Sequence, residues 1–102
     1  MHTISRKKLQ DFWRQHPDSQ SELTKWFKIV ESANWQNLAQ VRSVFNRSDT
    51  VRVASGNTVT VFDICGTKYR LIVKFHYNRQ RAYILKCMTH GEYSRERWKE
   101  EL

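Results

Sequence analysis

Apolar residues recur at helical spacing through the first 45 positions and at alternating spacing through the next 45. Leu9, Phe12, Trp13 and His16 fall on one face of a helix that Ser5 is placed to cap. Pro17 ends that helix, because proline disfavours helical geometry at the residue before it. Asp18 or Ser19 can cap a second helix, and Ser19 with Glu22 has capping-box spacing. Leu23, Trp26, Phe27 and Val30 form its apolar stripe. A shorter helix over 37–45 would turn Leu38, Val41 and Phe45 inward, and 46–49 reads as a loop.

The period then changes to two. Valine-rich 50–54 and the β-branched and aromatic run 58–64 predict strands, joined by a turn at Ser55-Gly56-Asn57. Cys65-Gly66-Thr67 turns the chain again. Residues 68–75 are the clearest strand, with Tyr69, Leu71, Val73 and Phe75 on one side and Lys68, Arg70, Ile72, Lys74 and His76 on the other. A hairpin loop at 77–80 leads to a last strand over 81–88. Residues 89–93 read as a loop, and Ser94 as the cap of a short C-terminal helix through Trp98.

Helices first and strands afterwards predict an α+β domain, residues 1–102 forming one unit. N-terminal helices should pack on one face of an antiparallel sheet, since the connections between strands are short. The other face should be free and should carry the basic row.

Charge sharpens this picture. Eighteen Lys and Arg face ten Asp and Glu, a net +8 at pH 7. Such an excess captures polyanions, nucleic acid first and an acidic protein second. With 39% hydrophobic residues the chain can still build a core, so wholesale disorder is excluded. No run approaches the roughly 18 apolar residues of a membrane span, and no long helix is basic on one face and apolar on the other. The start is basic and polar, without the apolar core of a secretory leader. Cys65 and Cys87 could form one disulfide, but in a reducing cytoplasm they read as two buried thiols.

Candidate chemistry gathers on two segments. Lys68, Arg70, Lys74 and His76 point one way at period two, a row that can follow a phosphate backbone and, through arginine, stabilise a pentacoordinate phosphate. A solvated strand face explains the same row. Thr89-His90-Gly91-Glu92-Tyr93 follows the last strand, where loops commonly carry function. Histidine moves protons near neutral pH, and tyrosine can donate one, stack on a base or simply pack. Arg6, Lys7 and Lys8 at the first helix start, and Arg79 and Arg81 at the last hairpin, could extend a basic RNA-binding surface or be ordinary solvated charge. No zinc spacing, paired acidic cluster or glycine-rich phosphate loop is present, so no metal or cofactor is expected.

Several segments together resemble one family. The opening from His2 to Leu9, Phe12-Trp13, His16-Pro17-Asp18, Trp26-Phe27 and Trp35 are similar to HigB-type toxins. So are Gly66-Thr67-Lys68-Tyr69-Arg70-Leu71-Ile72-Val73 and the Thr-His-x-x-Tyr motif at Thr89 to Tyr93. The resemblance implies a RelE-like fold and the toxin of a type II toxin–antitoxin pair, an endoribonuclease that cuts mRNA, usually on the ribosome, without a metal. It implies a cognate helix-turn-helix antitoxin and a hetero-oligomer with it. It puts Arg70 near the scissile phosphate, Lys68 at a basic position before it, and His90 and Tyr93 in the catalytic C-terminal segment. Segment 49–58 is longer than the family hairpin, and Lys74 and His76 match no family role.

Three functions fit the residues. An endoribonuclease would use Arg70 and Lys68 for charge and His90 and Tyr93 as acid and base. A non-catalytic RNA- or ribosome-binding module explains the charge equally well. A protein-interaction domain would dock an acidic partner on the basic face.

Overall fold

A computed structural model describes residues 1–102. Its strands are β1 (His2–Ile4), β2 (Ser48–Arg52), β3 (Thr58–Ile64), β4 (Tyr69–His76) and β5 (Arg81–Thr89). Its helices are α1 (Lys7–Gln15), α2 (Gln20–Ser32), α3 (Leu38–Val44), α4 (His90–Ser94) and α5 (Arg97–Glu101). The sheet order is β1-β5-β4-β3-β2. Every neighbouring pair is antiparallel except β1 with β5, which run parallel through His2↔Arg81, Thr3↔Ala82 and Ile4↔Tyr83. This is the α+β, RelE-like arrangement expected, with one strand added at the sheet edge.

That strand, β1, has no signature of its own because it is short and its partner lies some 80 residues away in sequence. Glu31 of α2 fixes it: the Thr3 N–H donates to the Glu31 carboxylate at 2.8 Å, and so does the Thr3 hydroxyl. The chain then reverses at Ser5, whose φ is +71°. Ser5 therefore does not cap α1 with its side chain; its carbonyl accepts the Lys8 N–H, and Arg6 takes the N-cap position. The Ser19–Glu22 capping box is also absent. The Ser19 hydroxyl donates to the His16 carbonyl at 2.7 Å, and Glu22 accepts the Cys65 N–H at 2.7 Å. Cys65 is left-handed at the tip of the β3–β4 turn (φ +55°), and a tertiary partner for its N–H wins over the local cap.

The helix-side core follows the stripes read from sequence. Leu9, Leu23, Trp26, Val30 and Val41 join Phe62, Ile64, Leu71, Val73, Ala82 and Ile84 in one cluster. Trp26 meets Phe62 edge-on, with ring centroids 5.4 Å apart. No helix is long and apolar enough to cross a membrane.

The opposite face differs from expectation: it is partly covered. Val53, Val59, Val61, Ile72, Met88 and Trp98 form a second buried cluster, with Tyr93 and Leu102 at its rim. The residues expected as a loop, 89–93, are instead the cap and most of α4. Thr89 accepts the Glu92 N–H, and Glu92 accepts the Thr89 N–H, a complete capping box. Ser94, expected to cap a last helix, closes α4 by donating to the His90 carbonyl at 2.9 Å. Glu96 is left-handed (φ +63°), which breaks the chain between α4 and α5 and lets Trp98 turn down onto the sheet. The Ala54 N–H donates to the Lys99 carbonyl at 2.9 Å, tying α5 to the β2–β3 hairpin. Strand β2 accordingly ends at Arg52 rather than at Ala54.

Trp98 is 2% exposed in a cluster of mostly aliphatic residues. Trp98→Ala is expected to cost ~3–5 kcal/mol of stability, read as a lower urea midpoint, because it empties the largest volume in that cluster.

Candidate active site

Strand β4 and helix α4 position the site. β4 pairs with β5 in the register Arg70↔Met88, and α4 begins where β5 ends. The His90 N–H donates to the Lys68 carbonyl at 2.9 Å, so the helix start is stitched to the base of β4. This brings Tyr93 over Arg70: the guanidinium carbon lies 5.0 Å from the ring centroid. Tyr93 in turn stacks on Trp98, with centroids 5.2 Å apart and planes 20° apart.

Arg70 is held on three sides. Its Nε lies 3.1 Å from an Asp63 carboxylate oxygen, across the β3–β4 pair Asp63↔Arg70. Its Nη1 donates to the Thr67 carbonyl at 2.6 Å, with the Tyr69 carbonyl at 3.5 Å. The arginine fork carries five N–H donors, and no protein partner takes those on Nη2. The side chain is only 11% exposed, so a phosphate would meet a fixed donor edge rather than a floating cation. His90 is exposed at the first position of α4, and its Nε2 lies 3.5 Å from the Ser94 hydroxyl.

Lys68 does not join the row. It precedes β4 in the turn, and its ammonium pairs with Asp18 at the α1–α2 corner. The Tyr69 hydroxyl donates to the other Asp18 oxygen at 2.7 Å. These contacts set the charge there. Hydrogen bonds from Lys68 and Tyr69 hold the Asp18 carboxyl below the ordinary carboxylate range. Asp18 in return raises Lys68 and Tyr69 above their ordinary values. The alternation that assigned Lys68 to the outward face fails because the strand starts one residue later.

The remaining basic candidates spread away from Arg70. Lys74 donates to the Asn57 side-chain oxygen at 2.6 Å, and His76 meets Tyr83 edge-on at 4.9 Å. Six residues of strand put His76 roughly 20 Å from Arg70 along β4. Arg79 and Arg81 are exposed at the far hairpin. Arg6 lies over Phe27 at 4.4 Å, Lys7 is exposed, and the Lys8 ammonium donates to the Leu85 carbonyl at 3.0 Å. The structure thus brings Tyr93 over Arg70, places His90 at the start of the same helix, diverts Lys68, and leaves the others as separate patches.

Sequence reasoning missed Asp63 and Ser94. Asp63 carries a signal in retrospect, a single acid in a strand otherwise made of β-branched residues and a phenylalanine. Ser94 carries none, because its role depends on α4 being helical. Both cysteines are free thiols; burial pushes Cys87 up to about 12 and raises Cys65 as well. Neither is a thiolate at neutral pH.

A layered α+β chain with a held arginine beside a helix-borne histidine and tyrosine is the class of molecule that these features define. The profile of the family described as HigB toxin, RelE-like toxic component of a toxin–antitoxin system, matches residues 19–96, and the chain belongs to this family. It is also similar to the mRNA interferase toxin HigB of Escherichia coli (strain K12), 26% identical over 93 residues, covering 91% of this chain and 88% of that one. The mRNA interferases HigB of Escherichia coli O157:H7 and of Shigella flexneri match with the same identity and coverage.

The Asp18 contacts predict a pH signature. Asp18 sits below its ordinary value, so its contribution is present above the ordinary carboxylate range and lost as pH falls through the lowered one. Lys68 sits above its ordinary value, so its share is present below that value and lost only as pH rises through the raised one. In Asp18→Asn the Tyr69 ring should ionise at lower pH than in the parent chain, as read by NMR of its ring protons. An unchanged Tyr69 titration would contradict the contact.

Proposed function

We propose that residues 1–102 act as one toxin domain, a cytoplasmic endoribonuclease that cuts mRNA on the translating ribosome. The observation that carries this reading is Arg70 held by Asp63 and Thr67 under the Tyr93 ring, with His90 at the start of the same helix. Family membership and relatives named mRNA interferases support it. The net charge of +8 supports a polyanionic substrate.

In the proposed reaction the RNA 2′-hydroxyl attacks the adjacent phosphorus. The O2′–P bond forms, the P–O5′ bond breaks, and the products are a 2′,3′-cyclic phosphate and a 5′-hydroxyl. One group takes the 2′-hydroxyl proton and another protonates O5′ as it leaves. His90 and Tyr93 fill these two roles. The free Nη2 edge of Arg70 binds the non-bridging oxygens, whose charge rises in the transition state. Dependence on the 2′-hydroxyl restricts the reaction to RNA. Lys68, paired with Asp18 in the turn before β4, takes no direct part in the reaction. Lys74, His76, Arg79 and Arg81 would take phosphates further along the strand. The cognate antitoxin is the protein partner.

Arg70→Ala and His90→Ala are each expected to reduce cleavage of a translated mRNA by about 10²–10⁴-fold and to relieve toxicity on expression. Primer extension on that mRNA, with and without ribosomes, reads the cuts. If both variants cut and kill like the parent chain, the site is elsewhere. If the parent chain binds RNA with steep salt dependence and produces no new ends, it is a binding module rather than a nuclease.

A further inference from the structure

Strand β5 has an open edge. β1 pairs with it only as far as Tyr83, and β4 occupies its other side along the whole length. In an antiparallel pair, alternate residues direct their N–H and C=O groups to the partner strand, and those between direct them away. The His90 N–H bonded to the Lys68 carbonyl sets the alternation: His90, Met88 and Lys86 face β4, while Thr89 and Cys87 face outward. Beyond the shift between Ile72 and Val73, the Leu85 carbonyl also faces outward, where it accepts the Lys8 ammonium. The Thr89 N–H is taken by Glu92. The peptide N–H and C=O of Cys87 meet no partner on this edge.

That edge is the floor of a cleft of about 470 Å³. Three consecutive residues, Lys86, Cys87 and Met88, line it, which happens when a strand is seen edge-on. α1 forms one wall through Lys8 and Phe12, and α4 with α5 form the other through Arg95 and Arg97. The cleft therefore continues the line of β1 between the two layers that flank the sheet. Its charge is biased. The acids on its walls are engaged: Asp11 with Arg14 at 3.7 Å, Glu92 in the capping box, and Glu101 with Lys86. Lys8, Arg95 and Arg97 are exposed and pair with no carboxylate.

We propose that this cleft receives an extended acidic segment of the antitoxin, which adds beside β5 as a further strand in line with β1. An unpaired strand edge offers main-chain hydrogen bonds at peptide spacing, and three unpaired cations beside it select acidic side chains. An RNA strand fits less well, since it carries no amide and carbonyl groups at peptide spacing to pair with those of Cys87. The Lys8 ammonium on the Leu85 carbonyl covers part of the edge in the free chain and moves aside as the segment pairs. The surface lies beside α4, so the partner would also restrain the helix that carries His90 and Tyr93.

The test uses the complex formed by co-expressing the chain with the antitoxin encoded alongside it, with Arg70→Ala in the toxin and no RNA present, so that its outcome does not depend on catalysis. Amide hydrogen exchange resolved by NMR should slow at Cys87 by at least tenfold in the complex relative to the free chain. Exchange at Lys86 and Met88, already bonded to β4, should change far less. The double variant Arg95→Glu, Arg97→Glu should weaken the complex by at least tenfold while its circular dichroism and urea midpoint stay those of the parent. Unchanged exchange at Cys87 in a formed complex overturns the proposal, as does protection confined to the Lys74–His76 face. Equal affinity for the double variant overturns it too. Slowing at Cys87 on adding a non-cleavable 2′-deoxy oligonucleotide, and not on adding the antitoxin, would assign the cleft to nucleic acid instead.

Discussion

The burial of Trp98 against the outer face of the sheet fixes the arrangement of side chains around Arg70. The segment from Ser94 to Leu102 is rich in charge and could lie in solvent, yet Trp98 shares a cluster with Ile72, Met88, Val59 and Val61. Burying an indole of this size removes 150–250 Å² of surface from water, roughly 4–6 kcal/mol at about 25 cal/mol per Å². That gain orders two short helices that could not persist alone. It also sets the height and tilt of Tyr93, which lies flat against the indole and over Arg70. The outer face is thereby divided. One end is roofed and holds Arg70; the other remains open around Lys74, His76 and Tyr83.

The first three helices and the three central strands were legible in the sequence, the helices because one face is buried and one wet, the strands because β-branched and apolar residues alternate along them. β1 was not legible, since three residues paired to a strand some 80 positions away carry no period. Residues 89–93 read as a loop because five residues of mixed polarity with a glycine among them look like one. The Thr89–Glu92 box was a usable signal there, and Ser19–Glu22 shows why such signals mislead: the same spacing yielded to a demand from Cys65. The outer face was expected to be free because a lone tryptophan in a charged tail gives no hint of what it covers.

The candidate site was legible in kind but not in assembly. Alternation put Arg70 on the outer face correctly, and the family resemblance drew His90 and Tyr93 to it. What alternation could not supply is the partner that aims the arginine. Asp63 stands across the β3–β4 pair, a contact fixed by register rather than by any local pattern. It neutralises one side of the guanidinium and fixes its plane, so ordering entropy is spent on folding rather than on binding. Lys68 shows the reverse case. The motif holds it beside Arg70, but the corner that carries Asp18 and Tyr69 draws its ammonium to the other side of the turn.

Net charge and chemistry therefore separate in this molecule. The excess of cations is spread over α1, the far hairpin and the C-terminal helices, where it accelerates the arrival of any polyanion without selecting a bond to break. Within the basic row, Lys68 is bound to Asp18, Lys74 to Asn57, and His76 leans on Tyr83. Arg70 alone combines deep packing, a fixed plane and an uncommitted donor edge. A cation in solvent would have to be ordered and partly dehydrated as phosphate charge develops. One already held at low exposure by a carboxylate, a carbonyl and a ring has met that cost during folding, which is why the held arginine, and not the count of positive residues, marks where catalysis would occur.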